Sequence, residues 1–234
     1  MIERYTNPEM GAIWTLQHEF EVMLDIEIAA CEAMAELGQI PKEAVKNIRE
    51  KATFDLDRVK EIEKVTNHDI IAFLTNVAEY VGDDSKYIHK GLTSSDVKDT
   101  ALGVMMKRSA DIIIEDLEKF RDVLKRRAAE HKYTVCIGRT HGIHAEPMTL
   151  GLKFALWLDE VERNIVRVKA ARESVAVGKI SGAVGTYANI DPFIEKYVCE
   201  KMGIKAANLA TQVIQRDRHA EYMTSLAIVA SSLE

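Results

Sequence analysis

Apolar residues recur along most of this chain at intervals of three and four, the spacing that places them on one face of an α-helix. The longest such pattern covers residues 95–131, contains no proline, and predicts a helix about 50 Å long. A second long helix is predicted to start at Pro147, and a last one to cover residues 211–234. No strand alternation of comparable length competes with these patterns. The sequence therefore predicts an all-α fold.

Shorter predicted helices precede the long ones, and capping residues mark their starts. Asn7 followed by Pro8 predicts a helix start, because asparagine caps helices and proline suits the first helical position. Asn67 is likewise predicted to cap a helix. The pattern divides into a small N-terminal helical domain, residues 1–92, and part of a domain of long helices, residues 93–234. Helices of that length commonly bury apolar faces in an oligomer as well as in their own domain.

The composition narrows the class of protein. A net charge of −6 without clustered Lys or Arg gives no sign of a nucleic-acid partner. The three cysteines are far apart and form no metal-spaced pair, which is typical of a reduced, intracellular chain. The first five residues carry charges where a secretory segment needs an apolar run, and no apolar stretch has the length of a membrane span. We therefore expect a soluble, cytoplasmic protein.

Three polar clusters interrupt the helical pattern, and each is predicted to lie at the start of a helix. They are residues 66–69 (Thr-Asn-His-Asp), residues 91–96 (Gly-Leu-Thr-Ser-Ser-Asp) and residues 138–147 (Gly-Arg-Thr-His-Gly-Ile-His-Ala-Glu-Pro). A helix N-terminus offers unpaired backbone N–H groups and the positive end of the helix dipole, which suits carboxylate or phosphate ligands. The alternative is that a residue such as Ser95 or Asp96 simply caps its helix.

The third cluster combines histidine with glycine. His141 precedes Gly142. A histidine ordinarily has a pKa of about 6.5, so it can donate or accept a proton at neutral pH. The alternative for His141, and for His68, is a histidine that hydrogen-bonds the nearby backbone. His141, His144 and Glu146 lack the helical His-x-x-x-His arrangement of zinc sites, so no metal site is expected.

Two further pairs of candidates lie before the first predicted helix and in the last one. Arg4 and Tyr5 precede the first helix, where an arginine either pairs with a phosphate in bidentate fashion or stays a solvated charge. Gln212 and Arg216 are four residues apart and are predicted to share one face of the last helix. They are either ligand contacts or ordinary surface positions, and the residues alone leave both alternatives open.

Taken together, the clusters resemble one family. The motifs Thr-Ser-Ser-Asp at residues 93–96 and Gly-Arg-Thr-His-Gly at residues 138–142, followed by Ala-Glu-Pro, resemble the fumarase/aspartase superfamily. The residues of these two motifs are most similar to those of the adenylosuccinate lyase family. The segments Asn-His-Asp at residues 67–69, Arg-Tyr at residues 4–5 and Thr-Gln at residues 211–212 match that family in order and spacing. The resemblance covers the whole chain.

The resemblance implies a lyase of purine nucleotide biosynthesis. It eliminates fumarate from adenylosuccinate, giving AMP, and from the succinyl-carboxamide ribotide. A base removes a proton from the succinyl β-carbon, and an acid protonates the departing nitrogen. The resemblance makes His141 the general acid and gives Thr93 and Ser94 a substrate carboxylate to bind. It assigns Gln212 to the succinyl portion of the substrate.

The remaining site residues follow from the same resemblance. Arg4 and Tyr5 are expected to hold the nucleotide phosphate. Asn67, His68 and Asp69 are expected to line the same site, with His68 as the second choice for proton transfer. No metal or organic cofactor is implied. The family forms homotetramers in which each site draws on three subunits, so we expect a homo-oligomer whose ligand is a small purine nucleotide, with no membrane partner.

One family feature is expected beyond residue 234. The family's mobile loop, Gly-Ser-Ser-x-Met-Pro-x-Lys-x-Asn-Pro, carries the serine that acts as base, so the chain resembles roughly the first half of the enzyme. We therefore expect little or no activity from this chain alone. Two alternatives are weighed beside this interpretation. Argininosuccinate lyase shares the elimination chemistry but not the Thr-Ser-Ser-Asp motif, and a non-catalytic helical scaffold would not need His141 or Thr93.

Overall fold

Helices account for most of the computed structural model, which describes residues 2–234. The α-helices are α1 (Pro8–Ile13), α2 (Leu16–Glu36), α3 (Lys42–Lys51), α4 (Leu56–Thr66), α5 (Asp69–Val81), α6 (Ser94–Glu130), α7 (Leu150–Val175), α8 (Pro192–Met202) and α9 (Asp217–Leu233). Short 3-10 helices cover Glu3–Tyr5 and Gly82–Tyr87. The strands are β1 (Val135–Thr140), β2 (Ile143–Thr149), β3 (Val177–Gly178) and β4 (Lys205–Ala206). The predicted all-α class is confirmed, with two small two-stranded sheets added.

Capping side chains explain where several helices begin. The side chain of Asn7 accepts a hydrogen bond from the backbone N–H of Glu9 at 2.9 Å, with Pro8 as the first helical residue, as predicted. Thr15 and Asp191 cap α2 and α8 in the same way. The long predicted helix is confirmed as α6, whose 37 residues extend about 55 Å at ~1.5 Å per residue.

The predicted cap at Asn67 is wrong by one residue. Asn67 ends α4 in the left-handed conformation, with φ of +51°, a conformation that asparagine tolerates better than most residues. His68 is the cap of α5, and its Nδ1 accepts from the backbone N–H of Ile71 at 3.4 Å. The hydrogen bond to the nearby backbone that the sequence analysis gave as the alternative interpretation of His68 is thus present in the fold.

The predicted helix start at Pro147 is also wrong. Pro147 lies in β2 opposite Ile137, and the antiparallel pair β1–β2 forms a hairpin. A proline fits there because a two-stranded hairpin leaves alternate N–H groups outside its ladder. Helix α7 begins at Leu150, where the Thr149 hydroxyl accepts from the backbone N–H of Leu152 at 3.3 Å.

The last helix starts later than predicted. It begins at Asp217, and residues 211–216 are non-helical. Gln212 and Arg216 therefore do not share a helical face. The backbone N–H of Ile214 instead donates to the carboxylate of Asp99 at 2.8 Å, which ties this segment to α6.

The chain separates into two compact units. The first comprises residues 1–108 and 176–215, and the second comprises residues 109–175 and 216–234. The core of the first unit includes the ring cluster of Phe20, Phe54 and Phe73, whose centroids lie 4.9 to 5.8 Å apart. In the second unit, the buried residues of the main core are Leu117, Leu124, Val161, Ile165, Val168 and Val229. The division after residue 92 stays a prediction.

Candidate active site

The start of α6 carries two of the predicted site residues, Thr93 and Ser94. Thr93 and Ser94 stand half-buried at its N-terminus, where a helix presents free N–H groups and a positive dipole end. Thr93 and Asp96 exchange hydrogen bonds: the Thr93 N–H donates to the Asp96 carboxylate and the Asp96 N–H donates to the Thr93 carbonyl, both at 2.9 Å. This reciprocal pair fixes the backbone that carries the two hydroxyls.

Three other segments of the chain are tied to the first two turns of α6. Asp69, in the first polar cluster, accepts from the ammonium group of Lys98. The segment that contains Gln212 is anchored by the bond from Ile214 to Asp99. The loop after β3 is anchored by bonds to Asp96. The structure therefore brings the segments of Asn67, His68, Asp69, Thr93, Ser94 and Gln212 to one end of one helix.

Electrostatics keep the Asp69 carboxyl ionised. Burial on its own would raise the pKa of Asp69, but hydrogen bonds from Lys98 and from the Ile70 N–H, together with the lysine charge, lower it below its ordinary value. Asp69 also lies 3.5 Å from Nδ1 of His68. Because Nδ1 of His68 accepts from Ile71, its Nε2 is the ring nitrogen left to carry a proton toward a ligand.

A buried pair supports the turn that leads into Thr93. Glu27 is 1 % exposed, and its two carboxylate oxygens lie 2.5 Å from His89 Nδ1 and 3.0 Å from the His89 backbone N–H. Burial lowers the pKa of His89, but the hydrogen bond to Glu27 and its charge outweigh burial, so the pKa of His89 is raised. The carbonyl of His89, whose φ is +63°, accepts from the Leu92 N–H at 3.2 Å.

His141 lies in the second unit, at the tip of the β1–β2 hairpin. His141 and Gly142 form its two-residue turn with φ of +51° and +74°, the backbone of a type I′ turn. The third polar cluster is therefore a hairpin, and the prediction that it starts a helix is wrong. The imidazole of His141 is exposed at the tip, where hairpin geometry and not a helix dipole sets its position.

Arg4 and Tyr5 lie in the first unit, in the 3-10 turn Glu3–Tyr5. The Arg4 guanidinium stands 4.7 Å from the centroid of the Tyr5 ring, and both side chains are exposed. Gln212 is exposed as well. Of the predicted site residues, His141 belongs to the second unit and the others to the first.

Several residues of this arrangement were missed in the sequence, chief among them Lys98, Asp99 and Lys179. Lys179 had a visible signal, because it is a single charge inside an apolar and glycine-rich run, residues 175–185, where burial demands a partner. Lys98 and Asp99 carried no such signal, since charged residues are ordinary in the first turns of a helix. Across residues 2–234, histidines, cysteines and carboxylates form no group of three that would hold a metal ion. No helix in this part of the chain is both long and apolar enough to cross a membrane.

The chain is similar in sequence to known lyases. A family model described as "Lyase" matches residues 3–234. The chain is 60% identical over 234 residues to adenylosuccinate lyase of Bacillus subtilis (strain 168) and 59% identical to that of Synechocystis sp. (strain ATCC 27184 / PCC 6803 / Kazusa). All of this chain is matched, but only 54% of each relative, so the chain spans about half the length of these curated relatives.

Solved structures show the same likeness. A fumarate lyase from Mesorhizobium sp. BNC1 superimposes with a TM-score of 0.90 at 27% identity, over 97% of this chain and 55% of that one. A 3-carboxy-cis,cis-muconate lactonizing enzyme from Pseudomonas putida gives 0.88 at 30% identity, over 98% of this chain and 54% of that one. The helical architecture is thus shared with these two proteins.

Proposed function

The chain belongs to the lyase family, and we propose that it is part of an enzyme that eliminates fumarate from adenylosuccinate, giving AMP, and from the succinyl-carboxamide ribotide. The observation that carries the proposal is the similarity of the whole chain to two proteins named adenylosuccinate lyase. The polar segments gathered at the start of α6 support it, because they suit an anionic, dicarboxylate substrate.

Thr93 and Ser94 bind a carboxylate of the succinyl group in this proposal. Their position at the N-terminus of a 37-residue helix supports it, because the dipole and the free N–H groups favour negative charge there. Gln212, whose segment is anchored to the same helix, contacts the succinyl portion. Hydrogen-bond donors at this place also stabilise the carbanion that forms when the β-carbon loses its proton.

The proton-transfer roles fall on the histidines. His141 is the general acid that protonates the departing nitrogen, and its exposed position on a hairpin tip supports this role because the imidazole is open to a ligand. His68 is the second candidate, supported by the contact of its segment with Lys98 of α6. Asn67 and Asp69 line the site beside it. No metal or organic cofactor enters the proposed chemistry.

Arg4 and Tyr5 hold the nucleotide phosphate in this proposal. The exposed guanidinium above an exposed ring offers a charge for the phosphate, and the phenol offers a hydrogen-bond donor. The proposed partner is a second copy of this chain, in a homo-oligomer. The exposed apolar side chains of α7 and α9 support it, and a location in the cytoplasm fits the three unpaired cysteines.

Calorimetry with adenylosuccinate and AMP tests the proposed substrate. Ser94→Ala removes one donor to a charged carboxylate, a loss of about 1.5–3 kcal/mol, so adenylosuccinate should bind roughly 10- to 100-fold more weakly. Ser95→Ala, the neighbouring hydroxyl without an assigned role, is the matched control and should bind like the unmodified chain.

Two outcomes would count against the proposal. Equal adenylosuccinate affinity in the Ser94→Ala and Ser95→Ala chains would remove the carboxylate site from the start of α6. Binding of argininosuccinate in place of adenylosuccinate would favour the related elimination on a different amine.

A further inference from the structure

Asp96 makes more hydrogen bonds than a helix cap requires. It lies in the first turn of α6 and is 0 % exposed. Its carboxylate accepts from the backbone N–H groups of Thr93 at 2.9 Å, Ser181 at 3.1 Å and Gly182 at 3.2 Å. A cap satisfies one or two N–H groups of its own helix, whereas two of these donors belong to a loop more than 80 residues away. Asp96 therefore joins two segments of the chain.

Lys179 supplies the opposite charge. It is also 0 % exposed, and its ammonium group donates to Asp96 and, at 3.2 Å, to the carbonyl of Gly182. The Thr100 hydroxyl exchanges hydrogen bonds with the backbone N–H and carbonyl of Lys179, both at 3.0 Å. The lysine is thus held at both its backbone and its side-chain end.

A buried ion pair is a costly way to hold a fold together. Desolvation of two charges offsets most of their attraction, and apolar residues of similar size often stabilise a core equally well. The carboxylate also stands at the positive end of the α6 dipole, where an uncompensated negative charge would repel an anionic ligand. Lys179 cancels that charge, so the end of the helix keeps its attraction for anions while Asp96 still orders the backbone.

From this geometry we propose that Asp96 and Lys179 are positioning residues for the carboxylate site at Thr93 and Ser94. Asp96 holds the Thr93 backbone against residues 181 and 182, and Lys179 preserves the positive potential at the helix end. Neither residue touches the substrate in this proposal. The assignment rests on the proposed function, because it concerns the site that binds the succinyl carboxylate.

The test compares two ligands that differ by the succinyl group. Adenylosuccinate carries that group and AMP lacks it, so the ratio of their dissociation constants reports on the carboxylate site alone. The unmodified chain, Lys179→Met and the double variant Asp96→Asn/Lys179→Met would be titrated calorimetrically with each ligand. The preference for adenylosuccinate should fall at least tenfold in Lys179→Met, while the AMP affinity changes by less than threefold.

The double variant covers the case in which Lys179→Met does not fold. It removes both charges, so the core should survive, and its thermal midpoint should stay within a few degrees of the unmodified chain. In the carboxylate, Oδ2 accepts from Thr93 and Gly182, and Oδ1 accepts from Ser181. An asparagine offers one acceptor oxygen where the carboxylate offers two, so at least one of these backbone N–H groups loses its acceptor. The preference for adenylosuccinate should therefore still fall in the double variant.

A destabilised control separates positioning from general loss of stability. Ile48→Ala removes a fully buried side chain of the first unit that makes none of these bonds, and it should lower stability without changing the ligand preference. An unchanged preference in the folded variants would overturn the positioning role alone. Failure of the unmodified chain to bind either nucleotide would overturn the proposed function, and this assignment with it.

Discussion

The buried carboxylate of Glu27 has a partner, His89, and this pairing affects the protonation of the histidine. Its carboxylate is inside the first unit and binds both the ring and the backbone of His89. Glu27 would be costly to bury alone, because an isolated carboxylate loses its hydration. The pair therefore favours a protonated His89, in agreement with the raised pKa of that histidine.

The stability of the chain should depend on the protonation of His89. Because its folded pKa is raised above the unfolded value of about 6.5, the stabilisation is fully present below that value and is lost as the pH rises through the folded pKa. The urea midpoint should therefore fall from pH 6 to pH 9 by more in the unmodified chain than in His89→Gln. His144→Gln, on the exposed hairpin, serves as control and should follow the unmodified chain. Equal pH dependence in all three chains would contradict this assignment.

Helices were predictable from this sequence because their signals are local. Apolar spacing and caps such as Asn7 lie within a few residues of the helices they define, and the start of α1 and the extent of α6 agree with the prediction. The starts predicted at Asn67, Pro147 and residue 211 were wrong. The β1–β2 hairpin was missed because its turn is His-Gly instead of the common Asn-Gly, and because its exposed faces show no apolar alternation. The partners of Asp96 and Asp99 could not be predicted, since they come from residues far along the chain.

The hairpin tip should require glycine at residue 142 because of its positive φ and not because a side chain would lack room. Gly142 has φ of +74°, and a Cβ there would meet no atom within 4 Å. Gly142→Val should destabilise the hairpin by about 1–2 kcal/mol, because a β-branched residue resists that conformation. Gly142→Asn should cost less. Hydrogen exchange of residues 135–149 measures the difference, and equal protection in both variants would refute the turn assignment.

At the scale of the molecule, the second unit exposes several large apolar side chains on two of its helices. On α7, Leu152, Leu156 and Val166 are 59 %, 62 % and 67 % exposed, and α9 exposes Met223 and Leu233 to a similar extent. Single exposed apolar residues are ordinary, but several on two helices of one unit make this the candidate surface for the proposed self-association. A second copy of the chain is the occupant in the proposed homo-oligomer.

Charges on this surface should weaken self-association. The double variant Leu152→Lys/Leu156→Lys places two ammonium groups on the exposed face of α7, where desolvating them on contact is costly. Sedimentation velocity over a range of concentrations should show a shift toward the monomer. Lys153→Glu changes an exposed neighbour on the same helix and is the control. An identical distribution of species in all three chains would exclude α7 from the interface.

The first unit is assembled from two stretches of chain with residues 109–175 between them, and this order has a consequence for biosynthesis. Asp96 leaves the ribosome 83 residues before Lys179, which at about 5–20 residues per second is a delay of roughly 4–17 s. During that interval the carboxylate remains hydrated, and the apolar face of α6 around Val97 and Ala101 lacks part of its cover. The nascent chain therefore completes the end of α6 late, after the second stretch emerges, and passes through a period in which chaperones have access to that face.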